Sequence, residues 1–305
     1  MKINVVVCTY NRSEGLRVCL ESLRRQTARP EDYGVLVVDN GSTDDTGDVV
    51  GRLKVEMPNL RYHFDPVPDV AAARNRGLEL TECDLVGYID DDEEVAPDWV
   101  ARMLAAFEQQ PPEVAAVGGD LDPVWEVPRP DWLTDSLVQY YSVNLDWSTT
   151  PRLIVDREWL PEGNVTFRVA HLRAFGGFPA TLGRKGHLLL SGENFVMDLM
   201  MESGLQLYYD PTIRAKHFIP AARMTKTWLR RRMFWGGVTA AELRPVAEPF
   251  GVKLPYWHHV DVPQSPADWL AILSDDGDPA TTTASLQSMH HLGYLLGLAG
   301  VIIGR

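Results

Sequence analysis

Five acids follow one another from Asp90 to Glu94, directly after the apolar run VGYI. Carboxylates crowded in this way repel one another unless a cation neutralises them. Hard oxygen donors of this kind suit Mg2+ or Mn2+, held by one or two carboxylates and completed by phosphate oxygens of a substrate. The competing reading is a solvated helix cap, since acids ahead of a helix with Pro97 in its first turn are favoured by the helix dipole. Further along, Lys226, Trp228, Arg230, Arg231 and Arg232 form a basic, aromatic group. Such a group closes on a diphosphate, rests on anionic lipid, or forms a solvated face with Trp228 in the core.

The elements that must position these residues are legible in the first 120 positions. NVVVCTY, GVLVVDN, LRYHFD, DLVGYID and VAAVGGD are short apolar or β-branched runs. Between them lie helical patterns such as Leu16, Leu20 and Leu23, or Val49, Val50 and Leu53 after Ser42 and Asp45. This alternation predicts an α/β fold with a mostly parallel central sheet and helices on both faces. Ligands of such sheets sit beyond the carboxyl ends of the strands. Thr9 to Arg12, Asp39 to Asp45 and Asp90 to Glu94 follow three of these strands, so they are expected to converge on one edge.

At Pro123 the texture changes to the Pro- and Trp-rich PVWEVPRPDW, an exposed crossing. Residues 1–122 read as a nucleotide-binding half and 123–240 as an irregular acceptor-side half of the same domain. Residues 241–305 read as a C-terminal extension, with a Pro-rich segment from Pro245 to Pro266, an acidic, Thr-rich linker from Asp275 to Ser285, and an apolar helical tail.

Composition narrows the function classes. The 305 residues carry 45% hydrophobic side chains, enough for a sizeable core, and a net charge of −13. That charge argues against a nucleic-acid binder, which needs clustered Lys and Arg. An anionic ligand must then meet a local basic site or a metal. Three cysteines without a CxxC pair fit a reduced protein with neither disulfide nor zinc site. The amino-terminal apolar run is too short for a signal peptide, so the chain reads as cytoplasmic. No apolar run reaches the ~18 to 20 residues that span a bilayer. In the tail, Gly293, Gly297, Gly300 and Gly304 would line one helix face and admit a close neighbour. That neighbour is the chain's own domain, a second copy, or the inner face of a membrane.

Six motifs in order, VVVCTYNR, VVDNGSTDDT, VAAARNRGLEL, YIDDDEEVAPDW, EGNVTFRVAHLRAFGGF and LSGENFVMDLM, resemble the family 2 glycosyltransferases of the GT-A fold. The resemblance covers roughly residues 3 to 240. It implies inverting transfer of a sugar from a nucleotide diphosphate sugar to an acceptor hydroxyl, in polysaccharide or glycoconjugate biosynthesis. By resemblance, Thr9, Tyr10 and Arg12 hold the base and its surroundings, and Asp39 accepts a hydrogen bond from the base. That favours a UDP-sugar, although thymidine presents the same edge and guanine a similar donor. Arg74 matches a basic residue near the nucleotide, its alternative being a solvated helix arginine. Asp90 to Asp92 match the DxD motif, with Asp91 and Asp92 as the acids that contact the ribose and the metal. Glu93 and Glu94 are left to the start of the following helix. His217 matches a further metal-ligand position, and the cofactor implied is Mn2+ or Mg2+. Gly118, Gly119, Asp120, Gly163 and Asn164 would face donor sugar and acceptor, with Trp228 and Arg231 nearby. The acceptor is a saccharide, a lipid-linked saccharide or a small molecule.

An inverting transfer also needs a general base on the side of the sugar away from the diphosphate. The family presents an acidic Glu-Asp pair at the head of a helix, and here the pair reads Glu193-Asn194. Glu193 is then the favoured base, with Asp198 as the substitute. Two other readings stand beside this one. A sugar nucleotidyltransferase would need a Gly-rich phosphate loop after the first strand, and CTYNRSEG is not one. A nucleotide-sugar-binding protein that has lost turnover at Asn194 would bind donor without transferring it.

Overall fold

The computed structural model describes residues 1–143, 146–155, 158–179, 193–248, 265–267, 270 and 279–300. The five apolar runs form β1 (Ile3–Thr9), β2 (Tyr33–Asp39), β3 (Leu60–Phe64), β4 (Leu85–Asp90) and β6 (Val114–Trp125). The intervening patterns form α1 (Ser13–Arg24), α2 (Thr46–Leu53), α3 (Val70–Glu79) and α4 (Trp99–Gln109). Strands β3, β2, β1 and β4 lie side by side in parallel, with Cys8 level with both Val38 and Asp90, and Thr9 with Asp39. The side chains of β1, β2 and β4 are buried on both faces, as expected of parallel strands covered by helices, whereas those of the edge strand β3 are mostly exposed. On one face Val6, Leu36, Val38, Val86 and Tyr88 pack with Ala71 and Ala73 of α3. On the other, a side chain at Gly87 would meet Trp99 and Ile3.

The sheet continues past β4 with antiparallel partners: β8 (Val165–Arg168) pairs with both β4 and β6, and β9 (Gln206–Ile219) pairs with β5 (Glu93–Val95) and β7 (Arg152–Leu153). The described strands run β3-β2-β1-β4-β8-β6-β9-β5. This alters the expected division at residue 123. One compact unit comprises Met1–Val124, Ser142–Thr181 and Glu193–Phe218, because β8 and β9 return to the first sheet. α6 (Val169–Ala174) and α7 (Glu193–Glu202) belong to it and contribute Leu172, Val196, Met197 and Met200 to its core.

The second unit comprises Trp125–Tyr141, Leu182–Gly192 and Ile219–Arg305. It holds α5 (Asp135–Val138), α8 (Lys226–Ala247) and α9 (Pro279–Leu298). Thr225 caps α8 by accepting from the Trp228 N–H at 3.1 Å. Residues 279–285, expected in a linker, are helical instead. Pro279 sits at the first position, where its missing N–H costs nothing. The buried Ser285 receives Arg230 Nε at 2.8 Å. The small-residue face of the tail meets its own unit, since a side chain at Gly293 would strike the Phe234 carbonyl and one at Gly297 would strike Ala241. Gly300 ends the helix at φ +67°, and Gly304 lies outside the described residues. Among the described residues no helix is long and apolar enough to cross a membrane.

Candidate active site

The carboxyl ends of β1, β2 and β4 bring the three polar loops together. Asn11 takes a left-handed conformation at φ 51°, which asparagine tolerates. Its Oδ1 accepts the Thr43 N–H at 2.7 Å, and its own N–H donates to Ser42 Oγ at 2.9 Å. This clasp between the first and second loops delivers Arg12, the residue before α1, across the end of β4. Arg12 Nη1 donates to Asp91 Oδ1 and Asp92 Oδ2, both at 2.8 Å, and Thr9 Oγ1 donates to Asp91 Oδ2 at 2.7 Å. Tyr10 leaves its ring exposed at the tip of the loop.

The structure redistributes the roles within the acidic block. Asp91 turns inward, its side chain 7% exposed, whereas that of Asp90 is 43% exposed. Asp92 follows in the turn after β4, its side chain 13% exposed, and shares the Arg12 nitrogen with Asp91. Asp91 accepts from Thr9 and Arg12. Burial pushes its carboxyl up to about 6, against the pull of Arg12. Glu93 is corrected. It starts no helix; it lies in β5 opposite His217, fully enclosed, with α4 beginning only at Trp99. Burial pushes its carboxyl well above the usual range, reinforced by Asp90 and Asp92. Gly163 makes room for it, since any side chain there would collide with the Glu93 carboxyl.

Asp92 Oδ1 stands 3.7 Å from His217 Nε2 on β9. That is too long for a hydrogen bond and within the roughly 4 Å that separates two ligands on one ion with bonds near 2.1 Å. Among the described residues no group of three or more His, Cys, Asp or Glu is arranged to hold a metal alone. The donor set thus fits an ion that takes one or two protein ligands and completes its shell from phosphate and water, the habit of Mg2+; the imidazole also suits Mn2+.

Arg74 is buried, not a solvated helix arginine. Asp69 caps α3 by accepting from the Ala71 and Ala72 N–H groups at 3.1 Å. One turn on, Arg74 Nη2 donates to Asp90 Oδ1 at 3.1 Å, and Nη1 lies 3.9 Å from Glu162 Oε2. Arg74, Glu162, Val165, Phe167, Phe178 and Met197 line a narrow recess. Glu162 escaped the sequence reading, although it opens the EGN motif.

Met197 of α7 reaches that recess, and Glu193 is the first residue of the same helix. The Asn194 Oδ1 is buried without a hydrogen-bond partner among the described residues. Burial, with a contribution from Glu202, pushes the Asp198 carboxyl up to about 7. A raised carboxyl stabilises the fold fully below its ordinary pKa, and that stability is lost as pH rises through the folded value. Asp198→Asn is therefore expected to raise Tm at pH 8 and to flatten its dependence between pH 4 and 7, read by thermal melts across pH. If Asp198 were the base, the same variant would also lose turnover.

The residues expected to face donor sugar and acceptor are closely packed. Gly118 lies level with Val165, where a side chain would meet the Asn164 carbonyl; one at Gly119 would strike the Ile213 carbonyl. Asn164 is fully buried, and Asp120 accepts the Tyr209 hydroxyl at 2.6 Å. Asp39, 1% exposed, accepts from the Ser42 N–H at 2.8 Å and the Tyr62 hydroxyl at 2.6 Å, so both oxygens shape the second loop. Trp228 and Arg231 lie on α8 in the second unit, where Trp228 stacks on Tyr141 at 5.1 Å.

Residues 4–152 match the model of glycosyl transferase family 2. The chain is 29% identical over 250 residues to a glucosyl-dolichyl phosphate glucuronosyltransferase of Haloferax volcanii, spanning 78% of this chain and 75% of that protein. It is 39% identical over 118 residues to validoxylamine A glucosyltransferase of Streptomyces hygroscopicus subsp. limoneus, spanning 38% of this chain but 26% of the relative. Its fold resembles that of the mannosyltransferase PcManGT from Pyrobaculum calidifontis, solved with GDP-Man and Mn2+, at TM-score 0.66 and 19% identity, over 97% of this chain and 87% of that one. TarS 1-349 of S. aureus with UDP follows at TM-score 0.53 and 14% identity, over 100% and 93%. With these relatives and this sheet, residues 4–152 carry the match to glycosyl transferase family 2, and the chain has the GT-A fold of glycosyltransferases.

Proposed function

We propose that this glycosyltransferase is an inverting, metal-assisted enzyme that moves a sugar from a nucleotide diphosphate sugar, with UDP favoured, to an acceptor hydroxyl. The observation that carries the reading is Asp92, just past the end of β4 and 3.7 Å from His217, with the more exposed Asp90 beside it. Asp92 and His217 would hold Mn2+ or Mg2+, and a divalent ion there supplies Lewis-acid stabilisation of charge developing on the leaving diphosphate. Asp90, oriented by Arg74, faces the ribose. In the transfer the acceptor oxygen bonds to the anomeric carbon, the bond from that carbon to the phosphate oxygen breaks, and the diphosphate leaves with the electron pair. The acceptor proton passes to a carboxylate on α7, assigned to Glu193.

The named relatives support acceptors that are lipid-linked saccharides or small molecules. The solved neighbours support guanosine or uridine diphosphate donors, the first of them with Mn2+. Calorimetric titration of UDP, GDP, dTDP and CDP, each with and without Mn2+, tests the reading. One diphosphate should bind only when the ion is present; binding indifferent to the ion would return Asp90 and Asp92 to a structural role. A second reading, donor binding without turnover, is favoured by Asn194 standing where the family presents an acid. Hydrolysis or transfer with any acceptor in a panel rules it out.

A further inference from the structure

The acidic block carries its own counter-cations, and the two differ in a way that assigns them different work. Arg74 is locked: its side chain is 5% exposed and bonded to Asp90. Arg12 is 37% exposed, and a single nitrogen, Nη1, spends its two hydrogens on two carboxylates, Asp91 and Asp92. Asp91 keeps a second donor in Thr9, so its burial does not depend on Arg12 alone. Asp92 presents its other oxygen, Oδ1, toward His217 and is the acid assigned to the metal.

We infer that Arg12 is the resident counter-cation of the metal acid: it holds Asp92 in the absence of a divalent ion, competes with that ion for the carboxylate, and is released toward the diphosphate when the ion binds. The inference rests on the metal-assisted reading proposed above. A divalent ion on Asp92 would stand within a few ångström of the guanidinium and repel it, while an ion and a guanidinium sharing an anionic diphosphate attract it together. Guanidinium suits the second position because its planar fork matches phosphate oxygens. Coupling of this kind is reciprocal, so removing the arginine must change ion affinity by the factor with which the ion weakens the arginine contact. The signature is two shifts of opposite sign, which loss of a merely structural contact does not produce.

The test titrates Mn2+ alone, followed by electron paramagnetic resonance of the free ion, and then UDP and GDP at saturating Mn2+ by calorimetry. Wild type is compared with Arg12→Gln and Arg12→Lys. Arg12→Gln should bind Mn2+ alone on the order of 5- to 50-fold more tightly, and bind its diphosphate on the order of 10-fold more weakly. Arg12→Lys, which keeps the charge but not the fork, should leave Mn2+ affinity near wild type and still weaken the diphosphate. If Arg12→Gln does not fold, as shown by its melt, the lysine variant carries the test through that split. Unchanged or weaker Mn2+ binding in Arg12→Gln, or diphosphate affinity unchanged in both variants, overturns the inference. Wild type that binds no Mn2+ with or without either diphosphate overturns the metal-assisted reading itself, and Asp92→Asn serves as the control that must abolish Mn2+ binding.

Discussion

Glu193→Gln is expected to lower kcat by about 10²- to 10⁴-fold, the range in which a positioned general base acts, while the affinity for the nucleotide diphosphate stays within twofold of wild type. The substitution keeps size and hydrogen-bonding capacity and removes only the ability to take a proton. The two readouts separate because the acids grouped for the diphosphate, Asp90 and Asp92, leave β4, whereas Glu193 begins α7. Met197 brings α7 to the recess lined by Arg74 and Glu162, and the side chain of Glu193 lies outside the described residues. The same helix also supplies the rival: Asp198, with its carboxyl pushed up to about 7, is poised near the operating pH where a base works best. Single-turnover rates of Glu193→Gln, Asp198→Asn and Asn194→Asp decide between them. A Glu193→Gln enzyme that turns over like wild type removes this residue from the mechanism and leaves Asp198 as the candidate.

What the chain's sequence discloses follows physical range. Strands β1, β2 and β4 are short apolar runs whose burial on both faces needs no partner to be inferred, and each appears where the pattern places it; β3, at the sheet edge, is mostly exposed. The convergence of Thr9, Asp39 and Asp90 to Asp92 follows from the parallel register, which sets Thr9 level with Asp39 and Cys8 with Asp90. The failures all involve distant partners. Glu93 reads as a helix cap because its neighbours in sequence are acids and a proline; what overrides this is β9, more than 120 positions later, which draws it into a ladder opposite His217. Gly118, Gly119 and Asn164 read as a sugar site because small and polar residues gather there, yet the backbone of Ile213 and the carboxyl end of β6 occupy the space. Residues 279–285 read as a linker because Thr and Ser favour loops in isolation; α8 supplies the surface that buries Thr282 and Ser285.

Asn164 turns that contrast into a measurement. Its side chain is fully buried and satisfies three elements at once: Oδ1 accepts Trp99 Nε1 of α4 at 2.6 Å, and Nδ2 donates to the Asp120 carbonyl of β6 at 2.8 Å and the Ile213 carbonyl of β9 at 3.1 Å. Asn164→Ala strands a buried indole N–H and leaves two carbonyls short of a donor. Each unsatisfied group costs about 1–3 kcal/mol, and the groups share one cavity, so a combined loss of about 3–5 kcal/mol is expected. Against a typical stability of roughly 5–15 kcal/mol this is severe, and it should lower Tm by roughly 6–15 °C. A residue facing the donor would behave in the opposite way, losing affinity while keeping its melting temperature. Below its transition, Asn164→Ala should bind the nucleotide diphosphate as wild type does once the folded fraction is counted. An unchanged Tm with a tenfold weaker donor would place the side chain at the sugar after all, and would require β6 and β9 to part where the structure joins them through this amide.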